Sequence, residues 1–109
     1  MSRYTWLLDP GHGGFIDGVY QTAGKRSPVF PDGSRLYEGE FNRDIVRRIM
    51  HLATGYKPGR LCPLPRTYET LKLDSVNLVD TEEDTPLRVR VNKANALHKK
   101  TGNCIYVSV

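Results

Sequence analysis

Apolar residues recur along the chain at the spacing of two amphipathic helices. The first apolar stripe, at i, i+4, i+8 and i+11, consists of Phe41, Ile45, Ile49 and Leu52. Glu38 and Glu40 precede or open this stripe, where a helix dipole favours acidic side chains, and Gly55 supplies a stop. The pattern predicts a helix that begins near Glu38 and ends before Gly55.

The second stripe lies in the last third of the chain. It consists of Leu87, Val91, Ala94 and Leu97. Asp84 or Thr85 suits the N-cap, Pro86 suits the first helical position, and Gly102 suits the end. The pattern predicts a helix from Pro86 to about residue 101.

Three apolar runs are typical of strands. Residues 4–9 form a run that Pro10 and Gly11 stop, residues 75–79 alternate weakly, and residues 104–109 are continuously strand-like. The pattern of residues 68–73 is ambiguous, and a short helix is one interpretation of it. The order strand, loop, helix, strand, helix, strand predicts an α/β fold with a mainly parallel, twisted sheet and flanking helices. In such sheets, sites collect at the carboxyl ends of the strands.

Composition narrows the class of protein. A chain of 109 residues predicts one domain, and no apolar run approaches the ~18 residues of a membrane span. The net charge of +4 favours anionic partners, but the basic residues form no dense stripe, so nucleic acid is not expected as a partner. The apolar start is too short for a signal peptide, which predicts cytoplasmic synthesis. Cys62 and Cys104 are expected to be reduced, partly buried thiols.

Residues 11–37 hold six of the ten glycines, and long irregular segments of this kind in compact domains are usually functional or disordered. His12 lies just past the first strand between glycines, which leave its imidazole open for a metal. The alternative is a chance histidine in a surface turn. Glu38, at the predicted helix start, is ordered by the helix dipole and is placed to meet His12 if the two ends are adjacent. Its alternative, shared by Glu40, is a helix-stabilising acid with no further role.

Several segments resemble, in order, the zinc-dependent N-acetylmuramoyl-L-alanine amidases of the type-3 class, which cleave peptidoglycan. Residues 7–14, Leu-Leu-Asp-Pro-Gly-His-Gly-Gly, are similar to the opening motif of that family. Residues 37–42 resemble its second block, with an acid four residues before an asparagine. Residues 84–95 are similar to its third block, and residues 104–108 look like its last central strand.

The resemblance implies a partial amidase fold in which residues 1–109 are the N-terminal part of the catalytic domain. It implies a Zn²⁺ held by His12 and Glu38, with a second histidine in the position after Val109 and the catalytic glutamate further downstream. This chain holds no counterpart of that glutamate, and the family pattern assigns no role to His51 or His98. Lys25 and Arg26 are expected to bind the carboxylates of the peptidoglycan peptide.

The implied function is hydrolysis of the amide between N-acetylmuramoyl groups and L-alanine, as in a phage endolysin that reaches the cell wall after release. A C-terminal fragment or a second chain would complete the site. Two alternatives stay open: a non-catalytic, amidase-like peptidoglycan-binding module, and a structural protein that shares the fold. Binding of zinc, lost on removal of His12 or Glu38, separates the first hypothesis from the others.

Overall fold

The computed structural model describes residues 3–54 and 73–109. The elements follow in the order β1 (Thr5–Asp9), β2 (Phe15–Ile16), β3 (Val19–Tyr20), α1 (Glu38–Thr54), β4 (Asp74–Asn77), α2 (Leu87–Thr101) and β5 (Cys104–Ser108). The predictions for Cys62 and for residues 68–72 lie outside the described residues. Cys104 is a half-buried free thiol, as expected.

The predicted parallel sheet is confirmed. β1 lies in its centre, between β4 and β5, and runs parallel to both. Thr5 is paired with Asp74 on one side and with Cys104 on the other, so the carboxyl ends of the three strands meet at one edge. The strand predicted over residues 75–79 is displaced, since β4 covers residues 74–77.

Alternation along β1 sends its two leucines to opposite faces of the sheet. Leu7 belongs to a core cluster with Leu78, Val79 and Ala94, which places α2 over its face. Leu8 is equally buried on the other face. The helix α1 packs along β4 and buries Val46 and Ala53.

The predicted extents of both helices are close to those observed, but the predicted apolar stripes are not the buried faces. In α1 the side chain of Phe41 is 52% exposed, while Asn42 and Arg43 are buried next to it. These polar side chains turn inward because backbone carbonyls of neighbouring loops require donors there. In α2 only Ala94 of the stripe is buried, and Leu87 and Val91 are exposed.

The start of α2 also differs from the prediction by one residue. Pro86 is the N-cap rather than the first helical residue, and no side chain caps the helix. The side chain of Arg90 reaches back over this first turn, and its Nε donates a hydrogen bond to the backbone carbonyl of Thr85 at 3.0 Å.

The glycine-rich segment contains a small hairpin that the sequence interpretation did not include. β2 and β3 pair antiparallel around Asp17 and Gly18, which both have positive φ, 49° and 77°. Two such residues between short strands form the turn that the twist of a hairpin favours. The hairpin brings Phe15 and Tyr20 against Tyr37, with ring centroids 4.7–5.3 Å apart.

In the described ranges, no helix combines the length and the apolar character needed to cross a bilayer.

Candidate functional site: a histidine–glutamate pair at the end of the sheet

The structure brings His12 and Glu38 together. His12 Nε2 and Glu38 Oε1 lie 3.2 Å apart, and the two side chains are 30% and 51% exposed. His12 lies three residues past β1 and Glu38 is the first residue of α1, so the pair is at the carboxyl end of the sheet. Both side chains are open to solvent and can meet a ligand.

His12 is held in an unusual backbone conformation. Its φ of 62° lies in the left-handed region, which residues other than glycine rarely adopt. The chain just before it is fixed from two sides, because Gly11 N donates to Val109 O at 3.0 Å and Gly11 O accepts from Asn42 Nδ2 at 3.2 Å. This frame turns the imidazole toward the start of α1 instead of along β1.

Glu38 is positioned by the glycine-rich segment. Its backbone N–H donates to Lys25 O at 3.0 Å, and the next N–H, of Gly39, donates to Tyr20 Oη at 2.8 Å. Tyr20 Oη in turn donates to Lys25 O at 2.9 Å. Two of the N–H groups that a helix start leaves without helical partners are therefore satisfied by the loop, which fixes where α1 begins.

The helix start and the loop after β1 approach each other at two glycines. A Cβ added at Gly39 would lie 1.8 Å from the carbonyl oxygen of Gly13. A side chain at this position would therefore push the loop away from α1. The closeness of these two backbones keeps Glu38 within reach of His12.

Replacing Gly39 with alanine is expected to lower the free energy of unfolding by about 1–3 kcal/mol, because the added methyl group overpacks a backbone contact. At an exposed position inside a helix, the same change would raise the free energy of unfolding by about 1 kcal/mol. The sign of the measured change therefore distinguishes the two cases. Urea denaturation measures the change, and the NMR shifts of the His12 ring report the loss of the pair. Gly24→Ala is the control, since a Cβ there meets nothing within 4 Å. Equal stability of the two variants would contradict the prediction.

Arg43 joins the segments around the pair. Its side chain is 1% exposed and donates to four backbone carbonyls, those of His12, Gly39, Thr81 and Glu83. Burial lowers the pKa of the guanidinium from its ordinary value, while the nearby carboxylate of Glu82 opposes this. Arg43 therefore fastens the His12 loop, the start of α1 and the loop before α2 at one point.

A second polar cluster lies at the end of β1. The carboxylate of Asp9, which is fully buried, accepts a hydrogen bond from Arg90 Nη1 at 2.6 Å and another from the hydroxyl of Tyr106. Burial first, and then the bond to Asp9, raise the pKa of Tyr106 to about 12. The cluster ties β1 to α2 and β5 close to Pro10, where the chain turns toward His12.

The remaining candidate residues fall into two groups. Lys25 and Arg26 lie beside the pair. The backbone carbonyl of Lys25 accepts from the N–H of Glu38, and Arg26 and Tyr37 form an isolated antiparallel β-bridge. Both side chains are exposed. His51 is buried on α1 and His98 is exposed on α2. In the described parts of the chain, neither joins a group of three potential metal ligands.

The donor set of the pair suits two positions of a zinc centre. Ligand atoms around a tetrahedral zinc with bonds of about 2.0–2.1 Å are roughly 3.3 Å apart, and an imidazole nitrogen and a carboxylate oxygen are ordinary zinc ligands. The observed separation of 3.2 Å fits this spacing, and it fits a direct ion pair between the imidazole and the carboxylate equally well. Residues 3–54 and 73–109 supply no third histidine, cysteine or acid to the same point.

These observations define a mixed α/β protein with a three-stranded parallel sheet and a solvent-open histidine–glutamate pair at the carboxyl end of that sheet. No protein-family model, curated protein or solved structure matches the chain.

Proposed function

We propose that the chain is the N-terminal part of the catalytic domain of a zinc-dependent N-acetylmuramoyl-L-alanine amidase. The reaction is hydrolysis of the amide that joins an N-acetylmuramoyl group to L-alanine in peptidoglycan. One observation carries the proposal: the two residues that the resemblance assigns to zinc, His12 and Glu38, lie with their donor atoms 3.2 Å apart. They come from distant parts of the sequence and meet where an α/β fold places its sites.

In the proposed centre, His12 Nε2 and Glu38 Oε1 hold the zinc together with a histidine that follows Val109. The position of Val109 supports this part of the proposal. Its carbonyl oxygen accepts a hydrogen bond from Gly11 N at 3.0 Å, so chain continuing from β5 would run beside the His12 loop. Three protein ligands and an open fourth position are what a catalytic zinc requires.

Zinc at this point would lower the pKa of a bound water toward ~7 and polarise the scissile carbonyl. The described residues supply the frame for that chemistry. Arg43 and Gly39 keep the two ligands adjacent, and the exposed side chains of Lys25 and Arg26 bind carboxylates of the peptide. In the reaction, the glutamate expected downstream would take a proton from water as the water oxygen adds to the carbonyl carbon. It would then give that proton to the amine nitrogen as the C–N bond breaks.

The proposal is tested by measuring bound zinc and release of alanine amino groups from purified peptidoglycan, with the protein in its full native length. His12→Ala and Glu38→Gln are expected to lose zinc and at least ~100-fold of the hydrolysis rate, since each removes a ligand. His98→Ala and Asp74→Asn are the matched controls, because His98 is exposed in the last turn of α2 and Asp74 is exposed at the first residue of β4, whereas the pair lies at the carboxyl end of the sheet. Both controls are expected to keep zinc and activity.

Zinc retained at full stoichiometry in both site variants would overturn the assignment of the ligands. If the protein binds peptidoglycan but releases no amino groups, the result favours the non-catalytic binding module over the enzyme. If the protein binds neither zinc nor peptidoglycan, the result favours a structural protein that shares the fold.

A further inference from the structure

Residues 25–38 form a hairpin arm that ends at the first residue of α1. Its two limbs run antiparallel, since Arg26 and Tyr37 form a β-bridge where the arm leaves the body of the protein. At the far end, Phe30 N donates to Ser34 O at 2.8 Å and closes a tight turn. We call this hairpin the arm, with its base at the β-bridge and its tip at the closed turn.

The tip of the arm presents apolar side chains to solvent. Val29 is 56% exposed and Phe30 is 46% exposed, and an exposed proline flanks them on either side. Contiguous exposed apolar surface of this kind marks interaction sites. The tip also carries one acid, Asp32. The hydroxyl of Ser34, and then its backbone N–H, donate to this carboxylate and lower its pKa from the ordinary value, so the tip is apolar and negatively charged.

The base of the arm lies beside an open depression of about 560 Å³. Its apolar lining consists of Phe15, Leu36, Tyr37 and Phe41, and its charged lining of Arg35, Glu40 and Asp44. Leu36 and Phe41 are 48% and 52% exposed, so this apolar surface also faces solvent.

The charge left open at the base is positive. Lys25 and Arg26 are exposed there, and in the described parts of the chain neither joins an ion pair. The two acids of the depression are already balanced, because Asp44 Oδ2 accepts from Arg48 Nε at 2.9 Å and Glu40 lies in the field of the buried guanidinium of α1. The base is therefore apolar and positively charged, where the tip is apolar and negatively charged.

Tip and base do not meet within one chain. About four residues of extended chain, roughly 13 Å, separate them. In the described ranges, Asp32 accordingly forms no ion pair with Lys25 or Arg26. Two arms that lie side by side in opposite directions place the tip of each against the base of the other. A two-fold axis across the middle of the arms makes this contact twice and closes the assembly at two copies.

We propose that the arm is a dimerisation element whose partner is a second copy of this chain. Val29 and Phe30 of one copy pack on the apolar depression of the other, and Asp32 faces the two cations of the partner's base. One acid against two cations leaves positive charge for a substrate. The ionised Asp32 beside the apolar tip disfavours a lipid surface as the partner, because burial of an unpaired charge in an apolar layer is costly.

Analytical ultracentrifugation of the full-length protein tests the proposal. A monomer–dimer equilibrium is expected, with a dissociation constant of about 1–100 µM, since the contact of two short arms is small. Phe30→Ser is expected to weaken the dimer at least ~10-fold, because it removes the aromatic anchor of the tip. Leu87→Ser is the matched control: Leu87 is 59% exposed on α2, and its replacement is expected to leave the dimer unchanged.

An exchange of charges shows whether tip and base meet between two copies. Asp32→Lys brings like charges together in a homodimer, and so does Arg26→Glu, so each variant alone is expected to dimerise at least ~10-fold more weakly. An equimolar mixture of the two variants restores opposite charges at both contacts, because each copy supplies the charge that the other lacks. The mixture is therefore expected to form a heterodimer more tightly than either variant forms a homodimer.

Circular dichroism shows whether each variant is folded. A protein that stays monomeric at every concentration, a dimer that survives in folded Phe30→Ser, or a mixture that forms no heterodimer would each overturn the proposal. Larger assemblies that no arm variant affects, with no dimer, would place the contact elsewhere and overturn it too. Binding of a monomer to phosphatidylglycerol vesicles, lost in Phe30→Ser, would assign the tip to a lipid surface instead of a second copy.

Discussion

Replacing Arg43 with methionine is expected to lower the free energy of unfolding by about 3–5 kcal/mol. The methionine keeps most of the apolar volume and removes every donor. The carbonyls of Thr81 and Glu83, which accept from Arg43 at 2.9 and 3.0 Å, would lose this partner, as would that of His12. Of the four hydrogen bonds of Arg43, the one to Gly39 is buried and the other three are part-buried, so water replaces the lost donors only in part and the loss exceeds that of a typical surface change.

The measurement is urea denaturation, followed by the NMR shifts of the His12 ring in the folded variant. Arg47→Met is the matched control. Arg47 lies on the same helix and pairs with the same Glu82, at 2.7 Å, but it is more exposed and reaches no loop carbonyl of the site. An exposed ion pair contributes about 1 kcal/mol or less. If the two variants were destabilised equally, the carbonyl contacts of Arg43 would not be the source of its effect.

Replacing Arg90 with methionine is the second change with a large expected effect, again about 3–5 kcal/mol of unfolding free energy. The carboxylate of Asp9 is fully buried, and Arg90 is the cation that pairs with it, at 2.6 Å. Removing one member of a buried pair leaves a charge without compensation, which costs far more than the pair contributes when intact. The hydroxyl of Tyr106 alone does not neutralise that charge.

Thermal and urea denaturation of three variants test this prediction. Arg88→Met, two residues away and exposed, is expected to change stability by about 0.5 kcal/mol or less. The double variant Asp9→Asn with Arg90→Met is expected to recover part of the loss, because no charge is then left buried. A double variant less stable than Arg90→Met alone would show that the penalty comes from lost packing of the arginine stem instead.

The spacing of apolar residues was sufficient to predict the larger helices and strands. The runs of apolar residues predicted β1, β5, both helices and the parallel sheet, because strands buried on two faces and amphipathic helices leave strong patterns. The hairpin was missed although a signal existed: Asp17 and Gly18 stand between two short apolar pairs, which is the dipeptide that a tight hairpin turn favours.

The buried faces of the helices were less predictable. The spacing of Phe41 predicts a core position, yet the residue is half exposed. The charge of Arg43 predicts a surface position, yet its side chain is buried. Its partners are backbone carbonyls of three segments, and backbone groups have no sequence signature, so only the assembled fold shows that a donor is needed there.

The candidate pair was predictable in part. The glycines around His12 and the acidic start of α1 indicated two ends that could meet, and the structure places them 3.2 Å apart. The groups that fix the pair are long-range contacts: Arg90 reaches Asp9 across 81 positions in the sequence. Contacts of that range follow from the order of strands in the sheet and not from any local pattern.

The position of β5 in the sheet has a further consequence. β5 pairs with β1 on one side, and in the described ranges no strand pairs with its other side. A row of backbone N–H and C=O groups is therefore presented along residues 104–108, next to the half-buried side chains of Ile105 and Val107. An extended segment of any sequence gains hydrogen bonds by lying along this edge, so self-association that steepens with protein concentration is expected to begin there.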